Sequence, residues 1–362
     1  MDKAGVGQLL RQLVSLDGPS GAEGPVAALI AETVRPMATQ VQTDALGNVI
    51  AWRRGTLEPA ARIMVAAHMD EIGFLVTKVE DGFLHVEAVG GVDARGALGQ
   101  EVTVYPTGPG SEAYPNGLPG YIGSRPPHLL APQEREKVIP LHELRVDLGL
   151  PPAALATGLV RVGDRVVMRG PYTELLNGRV ATKALDNRAS VAAMLAALAY
   201  LTEMRHSWDV YAVATVQEEV GLRGAMTSAF GVAPDLALVI DVTFGETPGL
   251  DNGKTVPMNK GPAIGWGPNL HPGIVKRLRE VADALEIPYV MEPVPGNSGT
   301  DAWAVQVTRE GIPTGLVSIP IRYMHSTTEV VVLADVDRAA RLVAAFISRL
   351  DTSFLAGLPE EV

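Results

Sequence analysis

The stretch Val210-Tyr211-Ala212-Val213-Ala214-Thr215-Val216-Gln217-Glu218-Glu219 decides the fold. Its first seven residues are apolar or β-branched with no polar alternation, the composition of a strand buried on both faces. It closes on two adjacent carboxylates, which are costly in an apolar setting unless they meet a partner or a metal. Two further runs end alike: residues 63–67 lead into His68-Met69-Asp70, and residues 236–240 into Asp241. Strands that deliver His, Asp and Glu to their ends indicate a bound metal.

Working outward, strands alternate with helices. An Ala/Leu-rich helix is predicted over 189–201, a helix opening on Pro272 over 272–285, and a closing amphipathic helix over 335–350. Short strands are predicted over 287–291 and 314–319. This is an α/β pattern: a mainly parallel mixed sheet sandwiched by helices. Upstream, residues 7–16 have helical spacing, and 40–52 read as a hairpin around Ala45-Leu46-Gly47-Asn48. Ser20 with Glu23 suggests a capping box ahead of a helix over 26–34. The texture changes in the middle. Residues 73–76, 83–86, 102–105 and 165–168 are short β-branched stretches separated by Gly and Pro, with a loop expected over 106–120. That segment reads as a small all-β barrel inserted into the α/β unit. The expected division is 1–71 with 169–362 for the catalytic unit and 72–168 for the insert.

The 362 residues make two domains a fair expectation, and 47% hydrophobic with 20% charged residues is ordinary for a globular chain. A net charge of -11 argues against nucleic acid or anionic membrane as a partner. The absence of cysteine removes disulfides, Cys-type zinc sites and thiol nucleophiles. The opening Met1-Asp2-Lys3-Ala4-Gly5 lacks a signal-peptide core, and no run reaches the ~20 apolar residues of a membrane span. These features together read as a soluble cytoplasmic protein.

His68 and Asp70 are two apart on a strand and face one side. They suit a metal ligand with a carboxylate behind it, or a strand-end His bonded to a turn. Asp186, before the Ala-rich helix, reads by itself as a helix cap before a ligand, and its weight as a ligand comes from its company. Glu218 and Glu219, the strongest local signal, can point differently, one binding metal while the other stays free as the general base of metal-assisted hydrolysis; an exposed acidic turn is the lesser alternative. Asp241 lies where open α/β sheets bind ligands, and His325 follows another strand. Charge favours two ions over one. Asp186, Glu219 and Asp241 supply three negative charges, which two divalent ions and a hydroxide balance, whereas one ion leaves the cluster negative.

These residues, in this order, resemble the M42 family of metallo-aminopeptidases, related to the M18, M20 and M28 peptidases. The resemblance is carried by His68-Met69-Asp70-Glu71-Ile72-Gly73, Ala184-Leu185-Asp186-Asn187-Arg188, Gln217-Glu218-Glu219-Val220-Gly221, Asp241-Val242-Thr243 and His325-Ser326. Further matches are Ile122-Gly123-Ser124-Arg125-Pro126-Pro127-His128, Arg161-Val162-Gly163-Asp164, Gly299-Thr300-Asp301-Ala302 and Thr308-Arg309-Glu310-Gly311-Ile312-Pro313. The resemblance implies that His68 and Asp241 bind one metal, Glu219 and His325 the other, and that Asp186 bridges. Glu218 becomes the general base and Asp70 the residue orienting His68. It implies zinc or cobalt, or manganese, as the pair of divalent ions, and a cis Asp186–Asn187 peptide. It also implies short peptides as substrates, and dimers formed through the inserted barrel that assemble into a tetrahedral dodecamer.

Three other readings remain in view. A metal-free glycosidase needs two carboxylates flanking a sugar bond, which leaves His68 and His325 idle. An M20-type carboxypeptidase or deacylase usually has a proline soon after its His-x-Asp, where this chain has Glu71-Ile72-Gly73. A catalytically silent assembly protein keeps the ligands for structure alone. Neither the preferred N-terminal residue nor the native metal is legible in the residues.

Overall fold

The computed structural model describes residues 3–133, 135–155, 157–250 and 253–358, so Met1 and Asp2 of the opening segment lie outside it. Eleven strands form one mixed sheet. Its spatial order is Gln40–Thr43, Val49–Arg53, Asp209–Thr215, Arg62–His68, Leu236–Phe244, Thr314–Arg322, Glu329–Val332, Arg179–Thr182 and Thr173–Leu175. Ala263–Trp266 pairs with Thr314–Arg322 and carries Val290–Pro293 on its other side. Parallel pairing joins the four central strands from Asp209–Thr215 to Thr314–Arg322. These are the unbroken apolar runs, buried along nearly all their length. The margins pair antiparallel and are partly exposed, as at Gln40–Thr43 and Thr173–Leu175.

The middle of the chain closes into a six-stranded barrel, ordered Gly73–Glu80, Phe83–Val89, Arg145–Asp147, Leu118–Gly123, Glu101–Tyr105 and Arg165–Met168. Phe74, Val76, Leu84, Val86, Val102, Val104, Ile122, Val146 and Val166 alternate inward and form a core separate from that of the sheet. Two of these strands are not legible in sequence. Leu118–Gly123 contains Pro119 and Gly120, which read as breakers; its Leu118 nonetheless pairs with Val104, so the expected loop over 106–120 ends three residues early. Arg145–Asp147 is only three residues long and is fixed by neighbours on both sides.

Other expectations need adjustment. The strand Leu236–Phe244 does not end at Asp241; residues 241–244 go on pairing with Ser318 to Ile321, beyond the reach of Arg62–His68. The Ala-rich helix begins earlier, at Leu185, and Asp186 and Asn187 depart from helical geometry inside its first turn. The strand expected over 287–291 is Val290–Pro293, because Ile287 instead closes the preceding helix by donating to the Ala282 carbonyl. A short helix, Thr352–Gly357, follows the helix Leu333–Ser348. The capping box does not form: Ser20 donates to Asp70, and Glu23 accepts from Gly21 and Gln217 instead of capping the helix Gly24–Val34. Among the described residues, no helix is long and apolar enough to cross a membrane.

Candidate metal centre

Register brings the site together. Thr215 pairs with His68 and Val239 with Ala66, which sets Asp241 level with His68 two residues on. Past Thr215 the chain turns through Gln217, whose φ is 55°, and presents Glu218 and Glu219 in that turn. Asp186 arrives from the start of the long buried helix and His325 from the end of Thr314–Arg322. Ala184, Tyr323 and His325 also hold positive φ. Non-glycine residues in this region cost about 1–3 kcal/mol each and cluster where side-chain placement matters more than backbone ease.

Asp186 is the centre of the arrangement. Its Oδ1 lies 3.1 Å from His68 Nε2 and its Oδ2 3.2 Å from His325 Nε2. His325 Nε2 is also 3.3 Å from Glu219 Oε1, and His68 Nε2 is 3.9 Å from Asp241 Oδ1. Two groups that could hold a metal ion therefore share Asp186: one with His68 and Asp241, the other with Glu219 and His325. A further grouping places Glu218 and Glu219 with His68, since Glu218 Oε2 comes within 3.8 Å of the ring. The Asp186–Asn187 peptide is cis.

Asp70 organises the surroundings. Fully buried, it accepts from the Glu218 and Glu219 amides at 3.0 and 3.2 Å and from Ser20 at 2.6 Å, with His68 Nδ1 3.4 Å away. One carboxylate thus orients the ring and fixes the turn that carries both glutamates. Burial alone would raise its pKa, but His68, Ser20 and the Glu218 amide together hold it below the usual value.

Several residues here were not singled out by sequence. Glu329 is buried and accepts from the Asp186 amide at 3.0 Å and the His325 amide at 2.8 Å. Gly91, from the barrel unit, offers its carbonyl to His325 Nδ1 at 2.9 Å, leaving Nε2 toward Asp186. Glu71 takes Lys183 on both oxygens and lies 3.6 Å from the buried Arg188. The spacing of Glu329 four residues after His325 is a local signal; nothing near Gly91 marks it. Among the described residues, His85, His128, His142, His206 and His271 belong to none of these groups: His85 faces Glu80, and His271 caps the helix Pro272–Ala284.

The charge of the cluster tests whether cations fit. Burial and the neighbouring acids push Asp241 well above the ordinary carboxylate range and Glu218 up to about 10; Glu219 is raised as well. His325 is raised to about 11 by its bonds to Asp186 and Glu219. Asp186 between the two imidazoles is held low instead, so the cluster gathers positive charge around one carboxylate and crowds the others. Two imidazoles and three carboxylates, all nitrogen or oxygen donors, fit borderline or hard divalent ions, zinc, cobalt and manganese among them.

A family model described as M42 glutamyl aminopeptidase matches residues 47–342. The chain is 38% identical over 348 residues to the lysyl aminopeptidase of Pyrococcus furiosus, covering 95% of this chain and 97% of that protein. Among solved structures, an aminopeptidase from the archaeon Desulfurococcus kamchatkensis aligns over 98% of both chains at 38% identity, with a TM-score of 0.90. The TET1 peptidase of Pyrococcus horikoshii, which can assemble into a tetrahedron or a large octahedral shell, aligns over 95% of this chain and 100% of its own at 29% identity, with a TM-score of 0.81.

Proposed function

The chain belongs to the M42 peptidase family, and from that premise we propose that it is a metal-dependent aminopeptidase removing the N-terminal residue from short peptides. The observation that carries the reading is the pair of potential metal-holding groups hinged on Asp186, with Glu218 beside them. His68 and Asp241 would hold one divalent ion, Glu219 and His325 the other, and Asp186 both. When bound, the ions would supply Lewis-acid chemistry, acidifying water and polarising a carbonyl. The native ions are zinc or cobalt, with manganese as the third candidate.

Glu218 is the general base. It belongs to neither group that shares Asp186, and Asp70 accepts from its amide at 3.0 Å, which sets the turn that carries its carboxylate. It takes a proton from the attacking water and passes it to the departing amine. Asp70 is a positioning residue acting through His68 and the Glu218–Glu219 turn. His325 is the more exposed of the two imidazoles, 31% against 2% for the His68 side chain, so substrate approaches from its side.

The barrel, within 72–168, is the dimer contact, and dimers build the tetrahedral shell that the Pyrococcus horikoshii relative forms. A cysteine-free acidic chain of this kind suits the cytoplasm. The test strips the protein of metal, restores zinc, cobalt or manganese singly, and assays aminoacyl chromophores beside N-blocked peptides. Turnover of free-amine substrates only, and only with metal, is expected. Inactivity across the panel overturns the reading, turnover of N-blocked peptides favours the M20-type alternative, and metal-independent sugar cleavage favours a glycosidase.

A further inference from the structure

Glu23 turns away from its own helix. It stands at the N-cap of Gly24–Val34, where a side-chain oxygen ordinarily accepts from the first helical amides, yet its carboxylate makes no such bond. Its Oε1 accepts instead from the Gly21 amide at 2.8 Å and, across the fold, from the Gln217 amide at 3.1 Å. Glu23 is 5% exposed; burial raises its pKa, the amides oppose the rise and Asp70 adds to it. The cations of this region, Lys183 and Arg188, pair with Asp17 and Glu71. A buried carboxylate that neither caps its helix nor meets a cation is costly to the fold. What it does supply is an acceptor for Gln217.

Gln217 opens the turn that carries Glu218 and Glu219. Its φ of 55° is unfavourable for a residue with a side chain. Three consecutive amides of the turn then meet carboxylates from outside it: Gln217 donates to Glu23, Glu218 to Asp70 Oδ1 at 3.0 Å, and Glu219 to Asp70 Oδ2 at 3.2 Å. Successive amides converging on anions fix the backbone that carries them. The two acceptors are themselves joined. Ser20 Oγ donates to Asp70 at 2.6 Å, the Glu71 amide to the Gly18 carbonyl at 3.1 Å, and the Ser20 amide to the Glu71 carbonyl at 3.3 Å. One loop, 18–23, therefore sets both carboxylates that hold the turn.

We propose that Glu23 is a positioning residue for Glu218, fixing the Gln217 end of the turn while Asp70 fixes the other end. The inference rests on Glu218 being the general base, as proposed above. Glu23 belongs to none of the groups that could hold a metal. Its contribution is reach and an acceptor oxygen, not charge. Without that bond the turn relaxes and the Glu218 carboxylate shifts, and a displacement of about 1 Å costs about 100-fold in rate.

Steady-state kinetics on the metal-loaded protein tests it with variants that separate reach from charge. Glu23→Gln keeps the length and an acceptor oxygen. Glu23→Asp keeps the charge but is one methylene short of Gln217. Asp and Ser both favour an N-cap, which aids folding, so Glu23→Ser stands in if the aspartate variant does not fold. Glu23→Asp should lose about 10–100-fold in kcat, with KM and metal content those of wild type. Glu23→Gln should stay within about five-fold of wild type, the cost of a neutral acceptor in place of a charged one. Because Glu23 acts through Glu218, adding Glu23→Asp to Glu218→Gln should cost nothing further. Equal losses in the Gln and Asp variants, a wild-type kcat in the shortened variant, a loss carried by KM or metal content, or a further loss in the double variant overturns the positioning role and leaves the base standing. A Glu218→Gln protein with wild-type kcat overturns the base and this inference with it.

Discussion

His325 is held by Gly91: the ring Nδ1 lies 2.9 Å from the Gly91 carbonyl oxygen, and a Cβ added at Gly91 would sit 2.7 Å from that same nitrogen. The barrel unit therefore sets a ring of the candidate metal centre, and no side chain fits between them. Gly91→Ala should move the ring and lower activity or metal affinity about 10–100-fold, the usual cost of losing a ligand's outer partner. Folding should be nearly unaffected, since Gly91 lies in a turn with open backbone space elsewhere. Steady-state kinetics with metal content by mass spectrometry checks this; a variant with full activity and full metal would refute the positioning role.

Glu218→Gln keeps the shape and the amide bond to Asp70 but removes the basic oxygen. The expected result is a loss of about 10^2–10^4 in kcat with KM little changed. Metal stoichiometry should stay that of wild type. A parallel loss of metal would reassign Glu218 as a ligand, in keeping with its 3.8 Å approach to His68.

Much of this centre is legible in sequence because buried strands announce themselves, and polar residues closing them are conspicuous. His68, Glu218 and Glu219 fall within four residues of the ends of the strands that lead to them. Asp241 is harder, since its strand runs on to Phe244 and the residue is not a strand end. Glu329 leaves only its spacing four residues after His325 as a trace, because it also reaches the Asp186 amide through a tertiary contact, and Gly91, which acts across the junction of barrel and sheet, leaves none. Short barrel strands such as Arg145–Asp147 depend on neighbours and carry no periodic signal long enough to read.

Lys183 binds both Glu71 oxygens, at 2.8 and 2.6 Å, and Asp17 at 2.9 Å; Asp17 in turn accepts from Tyr105 of the barrel at 2.6 Å. Lys183 and Glu71 are nearly inaccessible to solvent. Lys183→Met leaves the Glu71 carboxylate buried with the Gly18 amide and the more distant Arg188 but no close cation, and should cost about 3–5 kcal/mol. Replacing both, Lys183→Met with Glu71→Gln, should recover part of that loss because no unpaired charge remains. Urea unfolding of Lys183→Met, Glu71→Gln and the double replacement measures the coupling; equal costs for Lys183→Met and the double replacement would show that the pair is not the source.

His206 gives the fold a defined acid response. It is 5% exposed, donates from Nδ1 to the Trp208 carbonyl at 2.8 Å, and accepts at Nε2 from Arg53 at 3.2 Å. Burial, opposed by the Trp208 bond and reinforced by Arg53, holds its pKa below the ordinary value of 6.5. The unfolded chain therefore takes up a proton at a pH where the folded chain refuses it. Stability is whole above about pH 6.5 and falls as the pH drops toward the folded pKa, by at most about 1.4 kcal/mol per pH unit from this one group. In His206→Asn the proton uptake is gone, so the slope of unfolding free energy against pH between about 6.5 and 5 should flatten by up to that amount, whatever the offset at neutral pH. Metal-free protein is used for both, so that proton competition at the metal centre is common to the two curves. Identical slopes would place the acid response elsewhere.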